Sequence, residues 1–190
     1  MNRIFSLFLI SFLFMFLGCK QEQTKEGTEQ LNPEVQVAQK PLSPKTNAMG
    51  NVGDTHIHID YSAPSVRGRI IWGGLIAYDQ VWAPGAHMAA SVNFNTDVKI
   101  NGEMVPAGTY GYFTIPGKEE WVVILNENYN QHRSDDYDEA LDVLRLKVVP
   151  EQLSGLVETL TYEVIPAEGN KGSLSLMWEY KKIALEIEAL

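Results

Sequence analysis

The sequence predicts an all-β protein, an antiparallel β-sandwich or flattened barrel with one short helical turn. Three observations predict it. Short runs of alternating apolar and polar residues recur at spacings of roughly 8–12 residues, as half-buried strands do. Gly, Pro and Asn-Gly turn signals separate these runs. Beyond the N-terminal segment no stretch keeps a long 3.6-residue apolar period, and no repeat of about 20–50 residues marks a solenoid or propeller.

The chain opens differently. Met1-Asn2-Arg3 is basic, and Ile4 to Leu17 is an almost unbroken apolar run. That run is short for a bilayer span and suits the apolar region of a signal peptide. Phe16-Leu17-Gly18-Cys19 follows, a small residue directly before cysteine, and resembles the lipobox of bacterial lipoproteins. The resemblance implies cleavage before Cys19 and lipidation there, on its sulfur and new amino terminus. Several acyl chains anchor a protein stably where one does not. Residues 20–53 are rich in Gln, Glu, Thr, Asn and Pro, too polar to offset their ordering entropy. The expected organisation is a signal peptide over 1–18, a lipid-anchored flexible tether over 19–53, and one β-sandwich domain over 54–190. This places the protein outside the cytoplasm, on the bacterial cell envelope.

Within the domain, Asp54 to Asp60 alternates strictly, with Asp54, His56, His58 and Asp60 on one face and Ile57, Ile59 and Tyr61 on the other. Arg69 to Trp72 reads as a short strand, broken by Gly73-Gly74. Ala90, Val92 and Phe94 share a strand face. Asn101-Gly102, between Val98–Ile100 and Glu103–Val105, supplies the two positive-φ residues of a type I′ hairpin. Thr109 to Ile115 is a strand, and the continuous apolar run Trp121 to Leu125 is a central one. Ser134 is placed to cap a short helical turn through Ala140. Strands follow with Leu144, Leu146 and Val148, then Leu160, Tyr162 and Val164, then Leu174, Leu176 and Trp178 on their inner faces. Lys181-Lys182 is expected to turn the chain into a last strand with Ile183, Leu185 and Ile187.

Composition narrows the function classes. With 15 basic against 24 acidic residues, a net charge of −9 and no basic run, the chain lacks the clustered Lys/Arg that nucleic acid requires. One cysteine excludes an intramolecular disulfide.

An ordered string of motifs carries a further resemblance: Tyr61-Ser-Ala-Pro-Ser-Val-Arg-Gly-Arg69, Gly74-Leu-Ile-Ala-Tyr78, Val81-Trp82, Pro106-Ala-Gly-Thr-Tyr110, Phe113-Thr-Ile-Pro-Gly117, and Tyr137-Asp138 with Asp142-Val143 and Arg145. It is similar to the domain-of-unknown-function family 2911, secreted proteins and lipoproteins found mostly in Bacteroidota. The resemblance implies a secreted β-rich domain and no particular reaction. Many members carry Trp-Arg-Thr-Gly-Ala-Asn-Glu where this chain reads Trp82-Ala-Pro-Gly-Ala-His-Met88, so a site built on that Arg and Glu does not transfer.

Two candidate sites remain. His56, His58, His87 and His132 are the only histidines; a strand H-x-H with two loop imidazoles suits one divalent transition metal, zinc or copper. That set would make the protein a metal-dependent enzyme, a hydrolase or lyase with water on the metal as nucleophile. Arg67 and Arg69, flanking Gly68, suit an anion or carboxylate contact, with a salt bridge to Asp142 or Glu103 as the structural alternative. The leading expectation is a membrane-tethered binding module for a small ligand or an envelope protein, with the metal enzyme as its alternative. Whether the protein is an enzyme stays open at this stage.

Overall fold

The computed structural model describes residues 41–190, all within one compact unit. The expected signal peptide, Cys19 and most of the expected tether lie outside the described residues. Ten strands form two antiparallel sheets: β1 (Lys45–Val52), β2 (Thr55–Ser62), β3 (Ala90–Phe94), β4 (Val98–Ile100), β5 (Glu103–Val105), β6 (Gly108–Ile115), β7 (Trp121–Asn126), β8 (Asp142–Val148), β9 (Glu151–Pro166) and β10 (Lys171–Ala189). One sheet has the order β1-β2-β3-β6-β7-β8, the other β5-β4-β10-β9. This is an open sandwich rather than a closed barrel.

The period-2 pattern fixes which residues meet between the sheets. Ile57, Ile59, Val92, Phe94, Tyr112, Val123 and Leu125 face inward from the larger sheet. Leu160, Tyr162, Leu174, Leu176, Leu185 and Ile187 meet them from the smaller one. Each such side chain contributes about 1.5–3 kcal/mol by leaving water. The β4–β5 hairpin turns on Asn101 (φ 48°) and Gly102 (φ 91°), both left-handed, as a type I′ turn requires.

Several expectations need correction. The ordered fold begins before residue 54, because Lys45–Val52 is a strand paired along its whole length with β2. Its inward face carries only Ala48, Gly50 and Val52, of which Val52 joins the core, and its ladder to β2 and a close approach to β9 complete its hold. At Gly50 a Cβ would lie 2.9 Å from the Val164 side chain, so only glycine allows that approach. With β1 in place, the H-x-H strand β2 is not an edge. Arg69 to Trp72 is not a strand but part of a turn, with Trp72 making an isolated bridge to Ile76. The short 3-10 turn spans Glu139–Leu141 and is capped by Asp138, whose carboxylate accepts from Ala140 N at 2.9 Å, rather than by Ser134. Lys181-Lys182 does not reverse the chain. β10 continues through irregularities around Glu179, which takes φ 56° and absorbs the register shift without ending the strand.

Candidate functional site

The four histidines fall into two places. On the outer face of β2, the rings of His56 and His58 stand 6.4 Å apart. His56 Nδ1 lies 2.8 Å from Asn51 Oδ1 across the β1–β2 pair, and His58 Nε2 lies 3.1 Å from Asp60 Oδ1. His87 and His132 sit on two loops clamped together. Met88 and His132 form a β-bridge, Arg133 N donates to His87 O at 2.9 Å, and Ala89 N donates to Gln131 O at 3.0 Å. His132 Nδ1 is turned to Asp135 Oδ2 at 2.7 Å. Met88 and Ala89 line a cleft with Asp60 and Ser62. Met88 therefore lies toward the Ser62 end of β2, and four residues of strand, about 13 Å, separate His56 from Asp60. Among the described residues no three His, Cys, Asp or Glu side chains group so as to hold a metal ion.

The arginine pair leads elsewhere. Val66 to Arg69 is a tight turn closed by Arg69 N donating to Val66 O at 3.0 Å, with Arg67 (φ 52°) and Gly68 (φ 65°) at its centre. It projects Arg67 and Arg69 into a cavity of about 710 Å³ at one end of the sandwich. Arg133 and His87 reach the same cavity from the clamped loops. Leu75, Ile76, Trp82 and Trp178 supply its apolar wall. Neither Asp142 nor Glu103 pairs with Arg67 or Arg69. Asp142 is taken by Arg145 at 2.6 Å, and among the described residues no ion pair involves Arg67, Arg69 or Arg133.

Backbone contacts set these side chains. Arg69 donates from Nε to Val66 O at 3.0 Å and from Nη2 to Ser65 O at 2.6 Å, which fixes its guanidinium plane. Arg67 Nη2 donates to Leu42 O, folding residues 41–43 against the cavity, while the Glu158 carboxylate accepts from Arg67 N at 2.8 Å. Trp82 is held to β6 by paired 2.8 Å bonds with Thr114. The Tyr162 hydroxyl, its pKa pushed up by burial, donates to Pro84 O at 3.0 Å and pins the next part of the loop.

The protein's four tryptophans form one cluster. Trp72 packs edge-on to Trp121, Trp82 and Trp178 at 4.6, 5.6 and 6.0 Å, and Trp82 stacks on Trp178 at 5.8 Å and 20°. Trp178 is 2% exposed, and the Nε1–H groups of Trp72 and Trp178 have no acceptor among the described residues. A buried donor left so costs about 1–3 kcal/mol. The Val66–Arg69 turn links Arg67 and Arg69 in the sequence, whereas no local pattern links Arg133 to them. His87, expected in a metal set, lines this cavity.

These features define a class: an antiparallel β-sandwich with an arginine-lined, tryptophan-walled cavity at one end. Residues 43–187 match the family described as Protein of unknown function (DUF2911), and the chain belongs to that family. Searches of curated proteins and of solved structures give no match.

Proposed function

We propose that the protein is a membrane-tethered, extracytoplasmic binding module. Its lipid sits at Cys19 and its ligand occupies the cavity between the Val66–Arg69 turn and the clamped loops. One observation carries the reading. Of the six non-glycine residues with positive φ among the described residues, Arg67, His87 and Arg133 all line this cavity. Each such conformation costs on the order of 1 kcal/mol or more and persists where its surroundings enforce it, most often at functional sites. A volume of about 710 Å³ falls within the range of small-molecule pockets, roughly 300–1,000 Å³.

The test is a thermal-shift screen of a chemically mixed small-molecule library, run on the protein and on Ala86→Trp, which fills the cavity from its half-buried wall. Compounds that raise the melting temperature of the protein but not of Ala86→Trp support the reading. A screen without such compounds overturns it. The anchor is tested separately: Cys19→Ala should release the protein from membranes, and retention would refute lipidation.

A further inference from the structure

Resting on that reading of the cavity, we infer that its ligand is a small amphipathic organic anion, an oxyanion such as a carboxylate or phosphate on an apolar body. Arg67, Arg69 and Arg133 hold the charged group, and Trp82 and Leu75 pack the body.

The charge argument comes first. Acidic residues outnumber basic ones 24 to 15, yet among the described residues no Asp or Glu lines this cavity. The described arginines are Arg67, Arg69, Arg133 and Arg145, and all but Arg145 line it. Arg145 shows what this protein does with an arginine that serves structure: it is bonded to Asp142 and Tyr137. Among the described residues the other three have no carboxylate partner. Glu158, at the turn, accepts with one carboxylate oxygen from the Arg67 backbone N–H. A guanidinium carries five N–H donors. Arg69 uses two on Ser65 and Val66 carbonyls, Arg67 uses one on Leu42, and the Arg133 side chain uses none within the described residues. The remaining donors form planar forks, the geometry that oxyanions bind in pairs. Arg69, already locked to its turn, loses little freedom when an anion arrives.

The wall argues for the rest of the molecule. Bare inorganic phosphate needs no stacked indole pair and no aliphatic rim. Trp82, half-buried over the buried Trp178, gives the wall an apolar indole, and Leu75 stands 47% exposed beside the charged groups. Such exposure of a large side chain next to a cavity of this size is relieved when an apolar body covers it.

The experiment uses 8-anilinonaphthalene-1-sulfonate, an aromatic oxyanion, and N-phenyl-1-naphthylamine, its counterpart without the sulfonate. The anionic probe should bind saturably at one site, at least tenfold more tightly than the neutral one. Arg67→Gln with Arg133→Gln should remove that tenfold advantage without lowering the melting temperature, since both residues are exposed. Leu75→Ser should weaken both probes. Competition by 1-naphthoate against 1-naphthyl phosphate decides between carboxylate and phosphate, and inorganic phosphate should compete at least 100-fold less well than either. Equal binding of the two probes, or unchanged binding of the anionic one in the arginine variant, overturns the assignment of an anion. Inorganic phosphate competing as well as naphthyl phosphate overturns the apolar body. In either case the library screen can still return cavity-dependent ligands, so this inference fails apart from the reading beneath it.

Discussion

Asp142 holds the outer corner of the larger sheet, and replacing it with alanine tests how that corner is built. Its carboxylate is 5% exposed and accepts three bonds: from Arg145 Nη1 at 2.6 Å, from the Tyr137 hydroxyl at 2.7 Å and from Asn126 Nδ2 at 2.7 Å. Burial, together with this bond, pushes the Tyr137 pKa up, and the Asp142 bond raises that of Arg145. Arg145 is 34% exposed, so its charge rehydrates once the partner goes, and the ion pair is worth at most about 1 kcal/mol. Asn126 is buried, and its Nδ2 keeps only the Asp138 carbonyl as acceptor, while the Tyr137 hydroxyl loses its acceptor. Each of these losses costs about 1 kcal/mol. Asp142→Ala should therefore destabilise by about 3 kcal/mol, read by urea unfolding followed by tryptophan fluorescence. At roughly 2–4 °C per kcal/mol for a domain of this size, the melting temperature should fall by about 6–12 °C. Asp138→Ala, which removes only the cap of a single exposed turn, should cost at most about 1 kcal/mol. If Asp142→Ala costs no more than Asp138→Ala, the three bonds do not carry the corner.

Other predictions probe the core, β1, the hairpin and the histidines. Burial raises the pKa values of Tyr112 and Tyr162 above the ordinary tyrosine value, so their neutral forms favour the fold. Their contribution is fully present below about pH 10 and is lost as pH climbs through the raised values. Stability should accordingly fall on the alkaline side, and Tyr112→Phe should flatten that fall in pH-dependent unfolding; an unchanged slope would reject the assignment. Gly50→Val drives a side chain into Val164 and should cost about 1–3 kcal/mol, with amide exchange rising first in β1. Gly102→Ala meets no atom within 4 Å but keeps φ 91°, so a cost of about 1 kcal/mol from backbone strain alone is expected in the same unfolding assay. Dialysis against a chelator should leave the melting temperature unchanged. Stoichiometric zinc or copper, lost when His56 and His87 are both replaced by alanine, would overturn the division of the histidines into two places.

What was legible in the sequence was local. Asn101-Gly102 declared its hairpin because the turn needs two left-handed residues and those two supply them. The inner face of β2 was readable because Ile57 and Ile59 recur at period 2. β1 was not, because its inward positions Ala48, Gly50 and Val52 offer a single large apolar residue, and the rest of its hold is backbone pairing and a glycine-enabled approach to β9. Trp72 looked like the end of a strand because β-rich composition surrounds it. Tertiary packing against three other indoles places it instead in a turn. The cavity was half-legible. Arg67-Gly68-Arg69 announces a turn that projects two cations, while Arg133 joins them only because the Met88–His132 bridge brings its loop across. Long-range bridges of that kind carry no signature at either end of the sequence.

The tryptophan cluster ties this cavity to the core. Trp72, Trp121 and Trp178 pack within the main core, and Trp82 joins Trp178 on the cavity wall. A ligand on that wall touches residues whose packing also determines global stability, so binding and unfolding are linked. Ligand at 100 times its dissociation constant stabilises by about 2.7 kcal/mol, comparable to the cost of losing Asp142. Because the cluster contains every tryptophan in the chain, one fluorescence signal reports both events. The two separate by concentration: a binding change saturates below the unfolding transition and disappears in Ala86→Phe, which fills the cavity without adding an indole, whereas the unfolding change persists. A spectral response to ligand that survives in the filled variant would mean that the indoles sense a different surface, and the cavity would lose its claim.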